Sequence, residues 1–201
     1  MGIYKKHLKR VIDVFIALIG IIILFPLFLV LILAIKIDSK GPIFFIQRRV
    51  GKDKRHFNIL KFRTMRMDTP HDTPTHLLYN PDRWITKVGM FLRKTSLDEL
   101  PQLINILIGQ MAIVGPRPAL WNQYDLIEER DKYNANNVRP GLTGWAQING
   151  RDKLKIEDKA RMDGEYVENI SFVFDFKCIL RTVISVFQRS DIVEGHWKDT
   201  E

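Results

Sequence analysis

One cysteine, Cys178, stands in 201 residues. No disulfide can form within the chain, a disulfide-stapled scaffold is excluded, and the folded part suits a reducing compartment. Internal repeats and low-complexity tracts are missing, so nothing indicates a solenoid or a linker-dominated chain. Neither a Walker loop nor the Gly-x-Gly-x-x-Gly dinucleotide fingerprint occurs. Acid is in deficit: 23 Asp and Glu face 31 Lys and Arg, a formal net charge of +8 with pI near 9.6. Such a chain expects an anionic partner, whether nucleic acid, phospholipid or a phosphorylated substrate. Its length suits one domain with an appendage and is enough to bury a full core.

Charge is wholly absent from Val14 to Ile35, 22 residues rich in Ile, Leu, Phe and Val. At about 1.5 Å per residue, such a helix reaches across a hydrocarbon core. The run is too long for a signal peptide, and Asp38-Ser39-Lys40-Gly41 offers no small-residue cleavage site. Pro26 lies mid-run, removes one hydrogen bond and clashes with the carbonyl of Ile22, so a kink or break is expected. Both flanks are basic: Lys5, Lys6, Lys9 and Arg10 before, then Lys36, Lys40, Arg48, Arg49, Lys52, Lys54 and Arg55 after. Positive flanks favour the cytoplasmic side, so a helix that dips in, turns at Pro26 and returns satisfies both. A Pro-kinked spanning helix is the alternative, and the re-entrant form needs its freed backbone groups covered.

Ile43–Gln47 and Phe57–Phe62 read as two strands joined by a turn around Val50-Gly51-Lys52-Asp53. The basic and aromatic alternation Lys61-Phe62-Arg63-Thr64-Met65-Arg66 is either a solvated strand face or a binding face. Thr69 to Pro81 is an irregular loop whose His71, Asp72 and His76 are weak candidates for metal ligands. Trp84 to Leu92 is a short element, Met111 to Val114 a short strand, and Trp121 to Tyr133 and Lys155 to Glu168 are polar helices. Phe172 to Phe187 is an apolar, Phe-rich helix carrying Lys177 and Arg181, followed by Arg189. It either packs in a core or lies along a membrane surface. The expected fold class is α+β, mostly helical with a short β-hairpin. A membrane segment over residues 1–40 precedes a catalytic domain over residues 41–201.

The chemistry concentrates in Lys94-Thr95-Ser96-Leu97-Asp98-Glu99-Leu100-Pro101-Gln102. Apolar residues at Leu97, Leu100, Leu103, Ile104, Leu107 and Ile108 predict a helix ended by Gly109, with Pro101 confined to its first turn. Two readings of the acidic pair compete. In one, Ser96-x-x-Glu99 is a capping box and Asp98 is a cap. In the other, a helix start orients carboxylates towards bound phosphate. Gly115-Pro116-Arg117-Pro118 holds Arg117 on a stiff backbone suited to bidentate recognition, or is a plain exposed turn. Arg139 to Arg151 has three glycines and a proline in 13 residues, which brings backbone close to something.

Taken together, these stretches resemble the monotopic phosphoglycosyl transferases, bacterial sugar transferases that start glycan assembly on a polyprenyl carrier. The motifs are Lys61–Met65, Arg93–Gln102, Val114–Pro118 and Arg139–Arg151, behind the apolar N-terminal segment, in family order over nearly the whole chain. The chain looks like the minimal catalytic form.

The resemblance implies transfer of a phosphosugar from a UDP-sugar to polyprenyl (undecaprenyl) phosphate, releasing UMP. It implies Mg²⁺, with Asp98 as a metal ligand, and a covalent phosphosugar on Asp98, with Glu99 orienting or tuning its neighbour. The implied substrate-binding residues are Lys61, Arg63, Arg93, Arg117, Arg139 and Gln147, and the membrane helix breaks at Pro26. Members often carry serine before that proline, where this chain has Phe25. The implied location is the cytoplasmic face of a bacterial inner membrane, with inner-leaflet lipids as partners, no nucleic acid, and a homodimer left open. Three alternatives stay in view. One is a membrane-anchored nucleic-acid binder, although no helix-turn-helix, zinc-finger or RNA-recognition pattern is present. Another is a membrane scaffold without turnover, and the third is direct transfer with Asp98 serving only the metal.

Overall fold

A computed structural model of the chain describes residues 3–69, 83–150 and 153–188. His71, Asp72 and His76, Arg151 and Arg189 lie outside the described residues. A π-helical turn, Tyr4–Leu8, leads into α1, Lys9–Asp38. The long helix continues through Pro26, so the proline removes a rung of the hydrogen-bond ladder without ending the helix. The expected break is corrected to that extent. One face of α1 packs on the rest of the protein through Ala17, Leu31 and Ile35, while Val11, Phe15, Ile22, Phe25, Leu29 and Leu33 stay exposed.

Strands β1, Phe44–Val50, and β2, His56–Phe62, form the expected antiparallel hairpin, each longer than its apolar core predicts. Phe45 stands opposite Lys61, Gln47 opposite Ile59 and Arg49 opposite Phe57. Alternation therefore puts Gln47, Arg49 and Lys61 on one face. Helix α2, Lys87–Lys94, is capped by Thr86, whose Oγ1 accepts from the Gly89 amide at 2.9 Å. A Cβ on Gly89 would sit 2.0 Å from the Thr64 carbonyl oxygen, so glycine there lets α2 press directly on the end of the hairpin.

The acidic segment departs from expectation. Leu97–Glu99 is a single 3₁₀ turn, and helix α3 is limited to Gln102–Leu107, with Pro101 at its N-cap. Ser96 has φ 56°, left-handed, and makes no side-chain cap; neither does Pro101. The capping box is not formed. The apolar spacing that predicted one helix from Leu97 is met differently: Leu97 and Leu100 anchor the turn against Leu31, Ile35, Phe62 and Leu92, and Leu103 and Ile106 enter the main core.

Strand β3, Ala112–Val114, pairs in parallel with β4, Gly141–Thr143, a strand that the glycine-rich composition had hidden. Gly141 and Gly144 close on Gly115, and a Cβ on either would lie 2.1 Å from a Gly115 backbone atom. The backbone approach expected of this stretch is thus made to the loop that carries Arg117. Helices α4, Tyr124–Asp131, α5, Trp145–Ile148, α6, Ile156–Glu168, and α7, Phe172–Gln188, complete the chain.

A buried polar network ties α1 to β3 and α7. Asp13 Oδ1 accepts from the Ile113 amide at 3.1 Å, and Tyr166 donates to the Val114 carbonyl at 3.0 Å and to Asp175 Oδ1 at 2.8 Å. Asp175 Oδ2 accepts from Tyr4 at 2.6 Å and Lys9 at 2.7 Å. Along α7, Phe172, Phe176, Leu180 and Val183 form an exposed stripe while Asp175 and Cys178 face inward. The helix therefore has both a core side and an apolar outer side.

Candidate active site

The site forms where three backbone devices converge. Thr95 closes α2 by donating Oγ1 to the Phe91 carbonyl at 2.8 Å, and left-handed Ser96 then reverses the chain. The 3₁₀ turn presents Asp98 and Glu99 between leucines that are anchored below. From the hairpin, Lys61 Nζ donates to Glu99 Oε1 at 2.7 Å and stands 3.8 Å from Asp98 Oδ2. From the loop after β3, Arg117 reaches the same Glu99 oxygen through both terminal nitrogens, at 3.3 and 3.4 Å. Arg93, on the last turn of α2, is steered by Nε donating to Thr64 Oγ1 at 2.9 Å.

The two carboxylates are 13% and 12% exposed, and Arg117 is 32% exposed. Glu99 is the structural partner, shared by a lysine and an arginine. Asp98 accepts no hydrogen bond from the described residues. Burial pushes its carboxyl above the usual carboxylate range; Lys61 opposes that, Glu99 adds to it, and Arg93 and Arg117 oppose it further. A desolvated carboxylate without a hydrogen-bond donor is a poor structural element and a good nucleophile.

Arg49 joins the cluster, which sequence reasoning had counted only among the basic flank. It donates to the Pro118 carbonyl at 3.1 Å and to Gln47 Oε1 at 2.7 Å. Desolvation, then Arg117, lower its pKa to about 10, and Glu99 pulls the other way. Four cations, Lys61, Arg93, Arg117 and Arg49, therefore surround two carboxylates, an excess of two positive charges. That balance suits a diphosphate. The signal for Arg49 lay in strand alternation, since it shares the Lys61 face, but only the pairing register makes that visible.

The remaining expected site residues have partners of other kinds. Arg63 is buried and donates to the Lys40 carbonyl at 2.9 Å and to Ser39 at 2.7 and 2.8 Å, so it clasps the end of α1. With Phe62 also buried, the Lys61–Arg63 stretch is not a solvated strand face, and of its two cations only Lys61 meets the acidic pair. Arg139 donates to the Gly109 carbonyl at 2.9 Å, beyond the end of α3. Gln147 donates to the Leu142 carbonyl at 3.3 Å, while its Oε1 is buried without a partner.

Among the described residues no group of three His, Cys, Asp or Glu side chains could hold a metal. Mg²⁺ does not need one, since it takes one or two carboxylates and completes its shell with water and substrate phosphate. Asp98, which accepts no hydrogen bond from the described residues, fits that donor set.

The family model for bacterial sugar transferases matches residues 4–189, and the chain belongs to that family. It is 42% identical over 191 residues to the UDP-glucose:undecaprenyl-phosphate glucose-1-phosphate transferase of Escherichia coli (strain K12), covering 91% of this chain and 41% of that protein. It is 38% identical over 192 residues to the exopolysaccharide production protein ExoY of Sinorhizobium fredii, covering 89% and 84%. To the uncharacterized sugar transferase EpsL of Bacillus subtilis it is 43% identical over 160 residues, covering 80% and 76%. The chain thus spans about two fifths of the Escherichia coli relative and most of the two shorter ones.

Proposed function

We propose that this protein transfers a phosphosugar from a UDP-sugar to undecaprenyl phosphate at the cytoplasmic face of a membrane, as the first membrane step of polysaccharide assembly. The activity for which the Escherichia coli relative is named supports the substrate classes, as does that of a Komagataeibacter xylinus relative, an undecaprenyl-phosphate glucose phosphotransferase 39% identical over 185 residues. One observation carries the chemistry. The acidic pair is spared from capping, and among the described residues only Glu99 of its two carboxylates is held by cations at hydrogen-bond distance.

In this reading Asp98 attacks the β-phosphorus of the sugar nucleotide. The bond from that phosphorus to the bridging oxygen breaks, UMP leaves with the electron pair, and an acyl phosphate joins Asp98 to the phosphosugar. An oxygen of undecaprenyl phosphate then attacks the same phosphorus and returns Asp98 as a carboxylate. Phosphate monoesters have a second pKa of about 6, so the acceptor is largely dianionic at neutral pH and needs little base assistance. Arg117 and Lys61 neutralise the oxygens that gain charge, and Glu99 keeps both in place. Mg²⁺, held by Asp98 and the donor's own phosphates, would neutralise charge on the diphosphate.

Direct transfer in a ternary complex, with Asp98 only a metal ligand, is the competing mechanism. UDP-glucose labelled at the β-phosphorus, given without polyprenyl phosphate, separates the two. The covalent route leaves label on the wild-type protein, none on Asp98→Asn, and discharge when undecaprenyl phosphate is added. Normal turnover with no labelled protein after rapid quenching leaves direct transfer standing.

A further inference from the structure

We infer that Arg49 is a positioning residue for the diphosphate cradle. It locks the Pro116-Arg117-Pro118 loop against the hairpin, so that Arg117 is presented to the diphosphate. This rests on the phosphosugar-transfer reading above and names a residue which that reading does not require.

The argument begins with register. Lys61, Gln47 and Arg49 share one face of the hairpin, and Lys61 already touches Glu99 on that face. Arg49 is therefore aimed at the site by the same pleat that aims Lys61. Its two terminal nitrogens have fixed tasks. One donates to the carbonyl of Pro118, the residue after Arg117, and the other to Gln47 Oε1 on its own strand. The hold on Pro118 acts with the Arg49–Leu120 bridge and with the Val50 amide donating to the Ala119 carbonyl at 3.0 Å. Three successive residues after Arg117 are thus tied to β1. The opposite side of the same loop is tied to β4, where Gly141 donates to the Pro116 carbonyl at 2.9 Å. Arg117 projects from a backbone clamped on both flanks.

Electrostatics set the arrangement apart from ordinary loop packing. Two guanidiniums close enough to repel share the neighbourhood of one carboxylate, Glu99. A fold seeking stability alone would put a neutral donor under the Pro118 carbonyl. Arg49 Nε is also buried with no partner, a cost that structural arginines normally avoid. A bound diphosphate relieves the repulsion, which makes Arg49 useful when substrate is present and costly when it is absent. Arg48, the next residue, is on the other face of β1 beside His56 and Trp121, and serves as a control outside this machinery.

The test is a double-substitution cycle on the full chain in detergent, with magnesium pyrophosphate as the probe in calorimetric binding and UMP release from UDP-glucose as the second readout. Arg49→Gln should weaken pyrophosphate binding about tenfold and raise the KM for UDP-glucose more than it lowers kcat. In an Arg117→Gln background the same change should cost no more than about twofold, because Arg49 works through Arg117. Arg49→Lys, which keeps charge and disturbs folding least, should recover only part of the affinity, since it lacks the two-pronged hold. Arg48→Gln should bind as wild type. Full multiplication of the Arg49 and Arg117 effects, or Arg49→Gln and Arg49→Lys both within twofold of wild type, overturns the inference. If pyrophosphate binding shows the coupling but no UDP-sugar releases UMP, the transfer reading fails and the cradle stands.

Discussion

At the scale of single residues, Asp98 separates stability from function. Its folded pKa is raised, so over the range between the ordinary Asp value of about 3.9 and that raised value the folded state binds more protons than the unfolded. Stability therefore falls as pH rises through that window, and above it the charged, desolvated carboxylate is a burden. Asp98→Asn should melt at or above the wild-type temperature at neutral pH while losing turnover by several orders of magnitude. A cap residue would instead cost about 1 kcal/mol on substitution. In the proposed reaction the sign for activity is opposite: Asp98 must be ionised to attack, so the rate should fall as pH drops through the raised pKa. A thermal scan and a pH–rate profile check both. Ser96 offers a second case. With φ 56° it occupies a region costly for side chains, so Ser96→Gly should be tolerated. Ser96→Val should cost roughly 1–2 kcal/mol by denaturant titration and misdirect the acidic turn.

At the scale of elements, the buried Arg130–Asp163 pair joins α4 to α6, with Nε and a terminal nitrogen donating to Asp163 Oδ2 at 2.8 and 2.6 Å. Burial nonetheless pushes the Asp163 carboxyl upward, with Arg130 opposing, so the pair is held at a desolvation cost. Arg130→Met alone should destabilise by about 3–5 kcal/mol, because it leaves a buried charge. Arg130→Met with Asp163→Leu should recover most of that in chemical denaturation.

The legibility of each element follows from what shapes it. Helices α6 and α7 and the hairpin repeat their burial pattern over several periods, and their spacing anticipates them. The acidic segment misleads because Leu97 and Leu100 satisfy a helical period and equally a 3₁₀ turn anchored on another element's core. Strand β4 is three residues of loop-like composition that becomes a strand only by pairing with β3. Of the candidate site, Asp98, Glu99, Lys61, Arg93 and Arg117 were legible from motif and charge and come together. Arg63 looked the same in the sequence, but β2 ends at Phe62, so the alternation that aims Lys61 no longer holds and Arg63 turns to Ser39 and Lys40 at the end of α1.

At the scale of the whole molecule, the question is whether α1 can leave the body it packs on. Both ends are tied to it. At the start, Arg10 donates to the Ile106 and Leu107 carbonyls at 2.7 and 3.0 Å, alongside the Tyr4, Lys9 and Asp13 bonds already described. At the end, Asp38 Oδ2 accepts from the Val88 amide at 3.0 Å and Arg63 holds Ser39 and Lys40. A straight crossing with the folded body on one side would break the first set. A buried group left unpaired costs about 1–3 kcal/mol; the Asp13–Ile113 bond is buried, and the four part-buried bonds add to that cost. With both ends of α1 tied to one body, the expectation is that they lie on the same side of the membrane, with the exposed apolar faces of α1 and α7 set against lipid.

Single cysteines at positions 3 and 40 test this in a Cys178→Ser background. That background should be mild, because Cys178 is fully buried with its thiol pushed up to about 12, and it should resist thiol reagents in the folded wild type. With a membrane-impermeant reagent, neither cysteine should label in intact cells and both should label once the cells are opened. Labelling at position 3 alone in intact cells means that α1 spans, and the same-side reading is lost. Pro26→Ala should shift the population towards that outcome, since it restores the missing rung and removes the clash with the Ile22 carbonyl. The five bonds at the N-terminal end oppose the shift. Partial labelling of position 3 in Pro26→Ala cells, growing when Asp13→Ala is added, would weigh those two forces against each other in one experiment.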